Sequence, residues 1–237
     1  MVGIVAVTAL NTDSPSPTLS AGASAIFVLC LASGGDGSTL TNCTLGGVGY
    51  TEIQGPAPAT GGEEAVLGVA SFSHPGAGSA AIVSTFSGVG SVRSKQYIVI
   101  ELSDADTSIN GFVFSALGGQ SNNFIASKDL ASATNELAIA FACASDAATF
   151  EDNGGSDYAG NLVNVTAQTR DYLQICGGVD SVVASDPTTY QFQFTETTLS
   201  GGLYDRASIA VFYVAASAGG GVSIPVVANH LRNQGIQ

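Results

Sequence analysis

The chain has no tryptophan, a single methionine, and only 6 lysine and arginine residues among its 237. Charged residues of all kinds make up 11%, against about 25% in an ordinary soluble domain. Aspartate and glutamate number 19, so the net charge is -13. A chain this acidic repels phosphate backbones, which argues against nucleic acid as a partner. An anionic membrane surface is disfavoured for the same reason. The start, Met1-Val2-Gly3-Ile4-Val5-Ala6-Val7, lacks a basic leader and runs straight into a strand pattern. The expectation is therefore a protein made and folded in a cytoplasm. The most apolar stretch, 207–222, is interrupted by Ser208, Ser217 and Gly219-Gly220-Gly221. It falls short of the roughly 20 apolar residues that a membrane-spanning helix requires.

Cysteine is also scarce. Cys30 lies in Ile26-Phe27-Val28-Leu29-Cys30-Leu31 and Cys143 in Ala140-Phe141-Ala142-Cys143, the settings of small buried hydrophobes. Neither these two nor Cys43 and Cys176 form a C-x-x-C pair, and His74 and His230 are not spaced to complete a zinc site with them. Reduced core thiols are expected. A disulfide involving Cys30 or Cys143 stays open, because spacing does not decide it.

Helical periodicity is missing as well, whereas strand signals abound. Tyr190-Gln191-Phe192-Gln193-Phe194-Thr195 alternates aromatic and polar side chains, as a half-buried strand does. Leu137 to Cys143 alternates large residues with alanine, so its alanine face suits close cover by another layer or a neighbouring chain. Ile26–Leu31 and Tyr97–Leu102 are continuous apolar runs suited to strands buried on both faces. Further strands are expected at 2–10, 48–53, 65–72, 81–86, 111–116, 172–176 and 208–214, with a short helix or turn over Ser127–Asn135. Turn chemistry separates them, as in Ser33-Gly34-Gly35-Asp36-Gly37 and His74-Pro75-Gly76. About ten or more short strands without intervening helices indicate an all-β antiparallel sandwich, and at this length a jelly-roll type. One sandwich domain is expected over 1–216. A Gly-rich linker and a short extended C-terminal tail occupy 217–237, where Ile224, Val226, Val227 and Leu231 are apolar anchors for docking on a partner.

Catalytic patterns are thin. No G-x-S-x-G elbow occurs, and His74 and His230 read as loop and tail residues. The carboxylate groups Glu63-Glu64, Asp104 with Asp106, and Glu151-Asp152 with Asp157 sit in polar turns, while Glu101 and Glu196 read as single glutamates on solvated strand faces. No acid/base pair is assigned. The loop Glu151-Asp152-Asn153-Gly154-Gly155-Ser156-Asp157 gathers oxygen donors of the kind calcium takes, but it departs from the EF-hand spacing. No cofactor is expected. Tyr50, Tyr158 and Tyr204 lie near loops and are the candidate rings for a sugar, while Tyr97 and Tyr213 are expected in the core.

The layout as a whole resembles the jelly-roll accessory proteins of tailed-phage virions. The segments that carry the resemblance are Ala25–Leu31, Thr44-Leu45-Gly46-Gly47-Val48-Gly49-Tyr50, Ile82–Gly88 and Asn135–Ala140, set in a charge-poor Gly/Ala/Ser/Thr background. The resemblance implies a non-enzymatic virion protein that decorates or cements the capsid as a homotrimer, with itself and the major capsid protein as partners. The alternative is a receptor- or carbohydrate-binding module of a phage fibre. Deletion of residues 219–237 is expected to leave a folded domain that no longer joins its assembly. Unchanged incorporation of the truncated chain would reject the tail as anchor.

Overall fold

A computed structural model describes residues 2–34, 37–56, 64–88, 92, 94–118, 123–130, 137–145, 148–151, 162–170, 173–180, 188–196 and 206–217. Over 123–130, 148–151, 162–170, 173–180 and 188–196 it describes backbone path and strand pairing. Among the described residues the regular elements are all strands and every pairing is antiparallel. The antiparallel sandwich expected from the sequence is borne out.

The strands fall into two series. The first comprises β1 (Gly3–Leu10), β2 (Thr18–Leu19), β3 (Ala25–Gly34), β4 (Thr39–Leu45), β5 (Val48–Gly49), β6 (Glu52–Gln54), β7 (Glu64–Ser73), β8 (Gly78–Ser79), β9 (Ile82–Ser87) and β10 (Ser94–Ser103). The second comprises β11 (Asn110–Gly118), β12 (Asn123–Leu130), β13 (Leu137–Ser145), β14 (Ala148–Glu151), β15 (Leu162–Arg170), β16 (Leu173–Asp180), β17 (Thr188–Glu196) and β18 (Arg206–Val214). The first series builds a long sheet in the order β1-β10-β3-β7-β6, and the second builds one in the order β11-β18-β13-β16-β15. The two orders correspond strand for strand. The short sheets correspond too: β2 pairs with β8 and β4 with β9 in the first half, while β12 and β14 both pair with β17 in the second. Even a bulge recurs near the start of the first strand, at Ile4/Ala6 in β1 and at Asn110/Val113 in β11.

The long sheets pack face to face. Phe27, Leu29, Leu31, Leu67, Val69, Ile98 and Ile100 of one meet Ile139, Phe141, Cys143 and Phe212 of the other in a single core. Phe212 lies at its centre, with ring centroids 5.6 Å from Phe27 and 6.3 Å from Phe141, the latter edge-on. The opposite face of the first long sheet carries Ile26, Val28, Cys30, Tyr97 and Val99 and is covered by Leu19, Leu40, Cys43, Leu45 and Ile82 of the short strands. On the second long sheet the alanine face of β13 is fully buried, and β12 lies against β18 and β14 against β16. The result is four layers, short–long–long–short. It explains why Ile26–Leu31 reads as an uninterrupted apolar run and Tyr97–Leu102 as one broken by Glu101 alone: both faces of these strands are covered. The link between the halves is pinned by Ala215–Ser217, with Asp106 N donating to Ala215 O and Ser217 N to Asp104 O, both at 2.9 Å.

One expectation fails. Of the expected helix or turn over Ser127–Asn135, Ser127–Leu130 is instead the end of β12, paired residue by residue with Thr188–Gln191 of β17, and 131–135 lie outside the described residues. Four residues of modest propensity take the conformation that their ladder partner dictates.

Close approach of the first two layers depends on Gly68. A Cβ there would lie 2.7 Å from Leu40 Cβ and 2.9 Å from the Gln54 carbonyl oxygen. Gly68→Ala is expected to cost about 1–3 kcal/mol through overpacking, whereas Gly49→Ala, which meets open space, is expected to be near neutral. Urea denaturation of both variants checks the contrast.

Candidate functional site

Local structure accounts for several of the candidate groups. Asp106 folds back on its own chain, its Oδ1 accepting from Ser108 N and Ser108 Oγ at 3.0 Å. Neighbouring Asp104 takes a left-handed backbone conformation with φ 52°. Both are turn-forming residues of the inter-half link. His74 Nδ1 accepts from Gly76 N at 3.0 Å, closing a turn of its own; the residue is half-buried.

Glu101 departs from the sequence reading. It is buried, not solvated, because β10 is a central strand covered on both sides. Its Oε2 accepts from Ser20 N at 2.7 Å, so the carboxylate ties the segment after β2 to the long sheet. A carboxylate accepting a backbone N–H is a charge-assisted bond of the stronger kind. Glu52 plays a similar part between the halves, accepting from Ile109 N at 2.8 Å. Both glutamates hold backbone in place. Tyr97 and Tyr213 are buried as expected, and Cys30 and Cys143 are buried free thiols. Burial pushes the Cys143 thiol and the Tyr97 phenol well above their ordinary ranges.

The feature of the described surface most suited to recognition is the outer side of the first short layer. Leu45-Gly46-Gly47-Val48 forms a two-residue hairpin in which Gly46 and Gly47 take φ 59° and 80°, the primed turn that only such residues adopt easily. Register then places Thr44, Gly49 and Val83 side by side on the outward face, with Asn42 beside Thr85 one step along. Val83 is 57% exposed; Val48 at the hairpin tip is 50% exposed and Tyr50 just beyond it 38%. No charged residue occurs in β4, β5 or β9. Lys95 stands at one side, its Nζ donating to Ser84 O at 2.8 Å and lying 5.8 Å from the centre of the Phe86 ring. Tyr50 was legible in the sequence as a loop ring. Val48 and Val83 were not singled out, although Ile82-Val83-Ser84-Thr85 alternates visibly and the buried side of that alternation places Val83 outside.

No family model, curated protein or solved structure matches this chain. The surface must be interpreted from its own chemistry. Among the described residues no three His, Cys, Asp or Glu side chains are placed to hold a metal, and no helix is long and apolar enough to cross a membrane. Glu151 is described only as the last residue of β14; the rest of the candidate calcium loop lies outside the described residues, as do Tyr158, Tyr204 and His230. The tail anchors Ile224, Val226, Val227 and Leu231 also lie outside them.

Glu101→Ala is expected to destabilise the fold by about 1–3 kcal/mol, because Ser20 N loses its partner in a covered site. Glu101→Gln, which keeps an acceptor oxygen, is expected to cost less. Equal losses in chemical denaturation would show that the hydrogen bond is not what matters.

Proposed function

We propose that this protein is a non-enzymatic structural subunit of a virion, a decoration or cement protein that lies on the outer shell of a tailed phage as an oligomer. The observation that carries the reading is the charge-free outward face around Val83. At a net charge of -13, two copies repel wherever their acidic surfaces meet. A face of threonine, valine and glycine escapes that repulsion. It also loses little side-chain entropy and little hydration when covered, because it holds no long charged side chain. Repetition over a symmetric shell turns such modest contacts into firm attachment.

The strand order of the second half supports the jelly-roll type. Eight strands folded as two Greek keys set the first strand beside the last and the second beside the seventh. In the second half β11 lies beside β18 and β12 beside β17. The partners proposed are other copies of the chain, as a trimer, and the major capsid protein, with the 217–237 tail as a further anchor.

A second reading, a receptor- or carbohydrate-binding module, draws on the exposed Tyr50 ring. It predicts glycan affinity that Tyr50→Ala removes; a glycan array without hits at high protein concentration counts against it.

The structural reading is tested in solution. Light scattering after size exclusion is expected to give a trimer for the unaltered chain. Val83→Lys is expected to shift it to monomer with an unchanged far-ultraviolet spectrum. A monomeric parent at high concentration, or a variant that assembles normally, would overturn the role given to this face.

A further inference from the structure

Cys30 and Cys43 come from different layers of the first half, the long sheet and its short cover, and meet in the core between them. Both are fully buried and free, and their sulfurs lie 3.9 Å apart. Strand register explains the meeting. Cys30 in β3 is flanked across the ladder by Gly68 of β7 and Tyr97 of β10. Cys43 in β4 pairs with Ser84 of β9. Tyr97 Oη and Ser84 Oγ are hydrogen-bonded at 2.8 Å. Two cross-layer contacts thus stand side by side, one hydroxyl to hydroxyl and one thiol to thiol. Gly68, which adds no side chain next to Cys30, lets β4 come down close enough for the second. Cys143 is elsewhere, facing the core between the long sheets with its Sγ 3.6 Å from Val66 O.

We propose that Cys30 and Cys43 are a modification site: a latent cross-layer disulfide that forms when the folded protein meets a small-molecule disulfide as oxidant. The sulfurs need to close from 3.9 Å to about 2.0 Å. In the first step one cysteine thiolate attacks a sulfur of the oxidant, forming a mixed disulfide and releasing one small thiol. The second cysteine thiolate then attacks the protein sulfur of that mixed disulfide and releases the other. Two electrons pass to the oxidant, and the two cysteine protons end on the released thiols. The protein gains one bond and loses two hydrogens.

Burial and the adjoining Cys43 push the Cys30 thiol up, so little thiolate is present while the layers stay closed. Reaction therefore proceeds through opening of the short β4–β9 layer, and closure afterwards is covalent. The bond would hold β4 on β3 across a segment of 13 positions. The inference is independent of the virion reading, since it concerns only the inside of the first half.

The full-length folded protein is incubated with excess oxidised glutathione under mildly alkaline conditions, quenched in acid, unfolded and alkylated. Intact mass and peptide mapping are expected to show two of the four thiols lost and a Cys30–Cys43 linked peptide. The linked protein is expected to have an unfolded fraction lower by on the order of a hundredfold, the effect of closing a loop of this size, and to lose that gain on reduction. Cys43→Ser treated in the same way is expected to show neither the link nor the gain. Four thiols still open to alkylation after prolonged incubation, a stable glutathione adduct in place of the link, or a link between other cysteines would each overturn the proposal. The map of the unaltered chain decides the matter even if the variant does not fold.

Discussion

The two long sheets bury each other, and the rest of the architecture follows from that contact. Each is apolar on both faces, so each needs two covers: its counterpart on one side and a short layer on the other. Phe212, wedged between Phe27 and Phe141, marks the place where the contact is deepest. The alternation of large and small residues in β13 follows the same demand. Ile139 and Phe141 fill the space between the long sheets, while Ala138, Ala140 and Ala142 keep the outer side flat enough for the next layer. Sheets pack about 10 Å apart only when the side chains between them fit that gap.

A four-layer stack with so few charges leaves polar groups little choice of position. The buried carboxylate of Glu101 and the half-buried one of Glu52 each accept from a backbone N–H, at the seam between β2 and β10 and at the seam between the halves. Placed there, an acidic side chain fixes the path of a connecting segment that has no ladder partner. Burying an acceptor without such a donor would cost several times what the bond contributes. Acidic residues in this protein thus include structural fasteners, and their number alone is a poor guide to chemistry.

Much of this was legible in the sequence and some was not, for identifiable reasons. β3, β10, β13 and β18 announce themselves by continuous or alternating apolar residues, and the alanine face of β13 correctly implies a covering layer. β4 is hard to read because a bulge between Leu40 and Asn42 breaks its period, so that Leu40, Cys43 and Leu45 do not fall at steps of two. β15 carries a similar irregularity between Val163 and Thr166. Glu101 misleads because a charged residue in a strand ordinarily marks a solvated face, and only the sheet order shows that β10 has none. The correspondence of the two halves is hidden as well. Strands in equivalent places share burial and spacing but not residues: Ile98 and Ile100 of β10 stand where β18 has Ala210 and Phe212.

That divergence extends to charge. In the first half the outer short layer, β4 with β5 and β9, holds no charged residue, and Val83 faces outward from it. In the second half the equivalent strands carry Lys128 and Asp129 in β12, Glu151 in β14 and Glu196 in β17. A layer without charged side chains loses little side-chain entropy and little hydration when it is covered, so contact with another surface costs little on the outer side of the first half.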